Sequence, residues 1–170
     1  MKNIRLITTG GTFDKKYDAI QGKLDFKETH LPEILEIVRP NARVEIENRA
    51  LIDSLEMTDE IREQIIKSCV DSPEKNIIIT HGTDTMSRTA ELLGEAAAYA
   101  DSGLSEKTII LTGAMVPYTI SGSDALFNLG TAFTAVQLLK PGVYIVMNAT
   151  VFDWNNVRKN KAIGRFEQLK

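Results

Sequence analysis

Histidine and cysteine are nearly missing from this chain of 170 residues, which has two histidines and one cysteine. So few nitrogen and sulfur donors argue against a histidine-based metal site, and a lone cysteine closes no disulfide within the chain. Cys69 falls on the apolar side of a helical repeat with Ile61 and Ile65, so it reads as a small core residue rather than a thiol nucleophile. Basic excess is missing too. Twenty Lys and Arg stand against 23 Asp and Glu, a net charge of −3 with no basic stripe, which argues against a nucleic-acid partner. No apolar run reaches membrane-spanning length, and MKNIRLITTGG enters a strand pattern without the features of a signal peptide. The expected compartment is the cytoplasm, with no membrane partner. Internal repeats, low-complexity tracts and linkers rich in Pro, Gly or Ser are lacking, so residues 1–170 read as one domain. A chain of this length buries roughly two-thirds of its unfolded surface without disulfide or metal.

What is present is an alternation of two periods. Continuous apolar runs at 4–7, 77–79, 109–111 and 143–147 suit strands buried on both faces. Val44 and Ile46 alternate with Glu45 and Glu47, as in a strand towards a sheet edge. Between them lie helical repeats: Leu31, Ile34, Leu35 and Val38; Ile61, Ile65 and Cys69; Met86, Ala90, Leu93 and Ala97; Leu126, Leu129, Phe133 and Val136. The order β-α-β-α-β-α-β-α-β predicts an α/β fold: a doubly wound, Rossmann- or flavodoxin-like parallel sheet of about five strands with helices on both faces. Ligands of such sheets bind beyond the carboxyl ends of the strands. Residues 14–29 and 153–170 show no clear period, and both adjoin the candidate site.

Three segments carry candidate chemistry. TTGGTF at 8–13 follows a strand; Gly10 and Gly11 permit positive φ, and Thr12 is displayed at the bend. It reads either as a tight turn or as an active-site element. The glycines are adjacent, not spaced as GxGxxG, so a dinucleotide fingerprint is the weaker reading. The long connection that follows reads as a flap. In ITHGTDTMSRTAELL at 79–93, Asp84 or Thr85 could cap the next helix. A cap leaves unexplained a histidine, two threonines and a carboxylate together; His81 is read as shaping the turn, Thr83 and Asp84 as candidates for chemistry. Lys159 lies among Arg158 and Lys161 in NATVFDWNNVRKN at 148–160, where composition alone suggests a solvated tail. A neutral lysine oriented by a carboxylate such as Asp84 can instead take a proton from a hydroxyl, in a Thr-Lys-Asp version of the Ser-His-Asp arrangement.

These residues resemble the bacterial-type L-asparaginases, including the related glutaminase-asparaginases. The likeness rests on TTGGT, ITHGTDTM and NATVFD…VRKN, with further similarity in IDSLEMT at 52–58, LTGAMVP at 111–117 and SDALFNL at 123–129. It runs through nearly the whole chain in order. It implies hydrolysis of L-asparagine to L-aspartate and ammonia without a cofactor, and raises the question of glutamine as a second substrate. By position, it implies Thr12 as nucleophile and Thr83, Asp84 and Lys159 as the relay. Ser54 then binds substrate, and Asp84 also holds its α-amino group. Backbone N–H groups around Gly11 and Thr83 are the expected oxyanion donors. The family's flap tyrosine is matched by Tyr17, although alignment on QGK puts Lys23 there. Leu55 stands where many members carry a polar residue.

Family members are longer, with a carboxyl-terminal domain that lends residues to a partner's site. The expectation is therefore an amino-terminal catalytic domain without that second domain, forming a homodimer or homotetramer in which a neighbouring copy covers the pocket. The alternative from a different class is a non-catalytic amino-acid-binding or regulatory subunit that needs a separate carboxyl-terminal partner. A nucleotide-binding flavodoxin-like domain is a third reading, resting on fold and Gly10-Gly11 alone.

Overall fold

The computed structural model describes residues 2–169. Strand β1 (Asn3–Gly10) runs into a 3-10 turn at Thr12–Asp14 and a small hairpin, β2 (Lys16–Asp18) and β3 (Lys23–Asp25). Helix α1 (Leu31–Val38) follows, then β4 (Arg43–Ile52), a 3-10 turn at Ser54–Glu56, α2 (Asp59–Asp71), β5 (Asn76–Thr80) and α3 (Met86–Ala97). The chain ends with β6 (Thr108–Thr112), α4 (Ala125–Leu138), β7 (Gly142–Met147), β8 (Thr150–Asp153) and a second hairpin, β9 (Arg158–Asn160) and β10 (Arg165–Glu167). Among the described residues, no helix is long and apolar enough to cross a membrane.

The main sheet has the order β4-β1-β5-β6-β7-β8, and its first five strands are parallel. These are the five strands expected from the apolar runs, with β4 at one edge as its alternation indicates. The sixth, β8, lies outside that expectation. It folds back antiparallel on β7 through a two-residue turn in which Asn148 and Ala149 both have positive φ, the conformation that matches strand twist in a tight hairpin. The chain leaves β1 to form β4 on one side and returns to form β5 on the other. The carboxyl ends of β1 and β5 thus flank the point where strand order reverses, the usual place for a ligand crevice.

Period 2 inside the buried strands sorts side chains between two cores. Ile77, Ile79, Ile109 and Leu111 pack with Ile65 and Cys69 of α2 and with Met86, Ala90 and Leu93 of α3. Ile78 and Ile110 point the other way, towards Leu31 and Ile34 of α1 and Leu129, Phe133 and Val136 of α4. Cys69 is fully buried, and burial pushes its thiol up to about 12, as suits an inert core residue. Two residues counted on helical core faces are instead turned outward: Val38 is 45% exposed and Leu126 is 42% exposed.

Candidate active site

Three strand ends nest side by side. Gly11 has φ 72°, and a Cβ there would lie 2.4 Å from Gly82 Cα; a Cβ on Gly82 would lie 2.5 Å from Ser54 Cβ. Glycine is therefore required where the turns after β4, β1 and β5 touch, which brings Ser54 and the loops carrying Thr12 and Thr83 to one edge. The Gly11 N–H donates to Ile52 O at 2.8 Å. That bond occupies the donor, so the expectation that Gly11 supplies an oxyanion contact through its N–H is corrected. The Thr83 and Asp84 N–H groups have no acceptor among the described residues.

Lys159 is no solvated tail. Its Nζ donates to Thr83 Oγ1 at 2.7 Å and to Asp84 Oδ1 at 2.9 Å, and its side chain is 14% exposed. Hairpin β9–β10 places it there. Phe166, directly across from Lys159, is buried with Val157 and Phe152 in the core beneath α3, while Arg158 is tied to Glu167. Thr83 is buried, whereas Asp84 keeps a third of its side chain exposed on the solvent side. Thr83, Asp84 and Lys159 are thus in direct contact across 76 residues of sequence.

The other candidates are placed less uniformly. Thr12 opens its 3-10 turn, half-buried, and its hydroxyl has no hydrogen bond among the described residues. Ser54 is 1% exposed and its Oγ likewise lacks a partner, beside Gly82. Tyr17 sits on the flap opposite Leu24, 59% exposed, and Lys23 pairs with Asp25. No hydrogen bond joins Tyr17 or Lys23 to either threonine among the described residues. Leu55 is 68% exposed.

His81 shapes the turn, as read from the sequence. Its ring is fully buried; Nδ1 lies 2.8 Å from Gly82 O and must donate to it, leaving Nε2 to accept from Thr89 Oγ1 at 2.8 Å. Desolvation lowers its pKa to about 4, so the ring is neutral at physiological pH. Thr85 occupies the N-cap position of α3, but its hydroxyl does not cap. It donates to Ser54 O at 2.8 Å and accepts from Arg62 at 3.1 Å. Arg62, 6% exposed, also donates to Met57 O and Thr89 Oγ1 and pairs with Asp59. This guanidinium ties the Ser54 turn to the helix that begins beside Thr83. Sequence reasoning misses it, although Arg62 stands at the helical spacing of Ile65 and Cys69, a charge on an otherwise apolar face.

The family model described as Asparaginase, N-terminal matches residues 3–166. The chain belongs to the asparaginase family. It is 33% identical over 168 residues to a glutamyl-tRNA(Gln) amidotransferase subunit of Methanococcus vannielii, covering 90% of this chain and 36% of that protein. It is 31% identical over 172 residues to L-asparaginase 2 of Escherichia coli, covering 94% of this chain and 47% of that one. The solved structure of a probable cytoplasmic L-asparaginase from Campylobacter jejuni superposes with a TM-score of 0.77 at 27% identity, over 99% of this chain and 52% of that chain. This asparaginase-family chain thus spans less than half the length of the curated relatives it matches, and the family model it matches is the one for the amino-terminal part.

Proposed function

We propose that the protein hydrolyses the side-chain amide of L-asparagine to L-aspartate and ammonia. The observation that carries this reading is the contact of Lys159 with both Thr83 and Asp84 beside the Thr12 turn. Thr12 Oγ attacks the amide carbonyl carbon; the developing oxyanion is held by the free N–H groups of Thr83 and Asp84. The C–N bond breaks as the proton given up by the Thr12 hydroxyl passes to the nitrogen, which leaves as ammonia, and an ester to Thr12 remains. For the second step Lys159 Nζ must turn from donor to acceptor of the Thr83 hydroxyl, which then takes a proton from a water that attacks this ester; aspartate is released and the Thr12 hydroxyl is restored. Asp84 orients the lysine and, with its exposed oxygen, holds the substrate α-ammonium. The unpartnered Ser54 hydroxyl is suited to bind substrate polar groups, since a buried hydroxyl without a partner carries a desolvation cost that a ligand relieves. Tyr17 joins the site only when the flap closes over substrate. No cofactor takes part.

Exposure of Asp84 and of the flap supports a covered site in the working assembly, and we propose a homodimer or homotetramer in the cytoplasm. Ammonia release from L-asparagine and L-glutamine by purified protein tests the reaction. Turnover of asparagine that Thr12→Ala abolishes supports it; no release from either amide at millimolar substrate, with Thr12→Ala indistinguishable, refutes it. The identity to an amidotransferase component favours one second reading, in which the site works only with a partner protein. Aspartate binding by the isolated chain, with turnover appearing only on adding such a partner, selects that reading.

A further inference from the structure

Two residues beyond Thr12, Asp14 is fully buried. Its carboxylate gathers two separate segments. Oδ2 accepts from Thr8 Oγ1 on β1 at 2.9 Å; Oδ1 accepts from Thr29 Oγ1 at 3.0 Å and from the His30 N–H at 3.1 Å. Thr29 and His30 stand where the chain returns from the flap, so the carboxylate pins both feet of hairpin β2–β3 to the central strand. Lys15 continues the clamp outside. Its Nζ lies 2.6 Å from Asp53 Oδ2, beside Ser54, and 5.6 Å from the centre of the Phe26 ring. The 3-10 turn itself is held from the far side by Tyr118, whose N–H donates to Phe13 O.

A carboxylate is a costly way to fill this space. Desolvation pushes its pKa up, opposed by the His30 N–H and the two hydroxyls. Burying a carboxylate costs free energy that its hydrogen bonds must offset, so filling this space does not by itself call for an aspartate. What it supplies is direction: three donors from two segments, Thr8 on β1 and Thr29–His30 beyond the flap, converge on one planar group and orient the 3-10 turn between them. We propose that Asp14 is a positioning residue, which fixes the Thr12 hydroxyl for attack and holds the hinge on which the flap swings; the first half rests on the amide-hydrolysis reading above.

Two measurements on Asp14→Asn, Thr29→Val and Thr29→Ser test it. The first is kcat and KM for asparagine. A displaced nucleophile lowers kcat with little change in KM, and a misplacement near 1 Å costs on the order of 100-fold. Asp14→Asn is expected to lose kcat on that scale, Thr29→Val several-fold, and Thr29→Ser to recover it. The second is trypsin cleavage at the flap lysines Lys16 and Lys23, read well below the melting temperature of each variant. Asp14→Asn is expected to be cut at least about tenfold faster, since cleavage follows local opening. Melting temperatures that fall while kcat and flap cleavage stay within twofold of the wild type would overturn the proposal. If the wild type turns over no amide, the hydrolysis reading fails by itself, and the cleavage rates alone decide the hinge. Should Asp14→Asn not fold, the Thr29 pair decides both halves.

Discussion

Two hairpins with three-residue strands approach the same site and behave as opposites. Hairpin β9–β10 is held in the core by Phe166 and Val157 and presents Lys159 at hydrogen-bond distance to Thr83. Hairpin β2–β3 carries Tyr17 at 59% exposure, Ile20 at 97% and Leu24 at 39%, and is fixed at its feet by the Asp14 cluster. A two-stranded hairpin of this size is not stable in water by itself. Position therefore comes from what each hairpin buries. One buried aromatic ring converts a charged segment into a fixed support for a lysine; without such a ring the other hairpin leaves its strands and tip exposed.

The comparison breaks most visibly at the group each hairpin offers. Lys159→Met removes the amine that the proposed relay sets against Thr83 and is expected to lower kcat for asparagine by about 10³-fold with a near-native melting temperature. An effect below tenfold would demote β9–β10 to scaffold. Next in size is the anchor. Phe166→Ala is expected to cost about 3 kcal/mol in urea unfolding, the scale for emptying a buried aromatic site. Its kcat should fall as well, because Lys159 loses its backing, and a destabilised but fully active variant would separate anchoring from chemistry.

Acid sharpens the same contrast from the fixed side. His81 titrates near 6.5 when unfolded and at about 4 when folded, so the unfolded chain binds the extra proton between those values. Stability contributed by the neutral ring is therefore complete above about pH 6.5 and falls as pH drops towards 4, by about 3 kcal/mol in all. Asp14 has the opposite sign, since its folded pKa is raised and acid relieves its buried charge. Unfolding curves of wild type and His81→Gln between pH 4 and 7 isolate the histidine; parallel curves would show that its burial does not govern acid sensitivity. The smallest effect is expected on the flap. Tyr17→Phe should leave stability within about 0.5 kcal/mol, as for an exposed residue, and change kcat/KM several-fold at most. A loss matching that of Lys159→Met would place Tyr17 in the chemistry itself.

The contrast also marks what is legible in the sequence. The five parallel strands and four helices stand out because each buries a face, and burial writes a period. Thr83 and Asp84 are visible as polar residues crowded after an all-apolar strand. Both hairpins and β8 are not, because strands of three or four residues are too short to show alternation. By composition alone Lys159 looks like solvated tail, since its partners lie 75 and 76 residues away, and it is the family resemblance that assigns it to the relay. Asp14 and Arg62 escape notice for a related reason. A buried charge is recognisable only from the donors or acceptors that surround it, and those come from several elements at once.

The central claim is that Thr83 and Lys159 act as one unit, held together by the fold. A double-mutant cycle in kcat for asparagine, with Thr83→Val, Lys159→Met and the two combined, tests it most directly. We expect each single change to remove most of the activity and the pair to be scarcely worse than either, as for residues sharing one proton relay. Losses that multiply would contradict it, and would mean that the 2.7 Å contact plays no joint part in the chemistry.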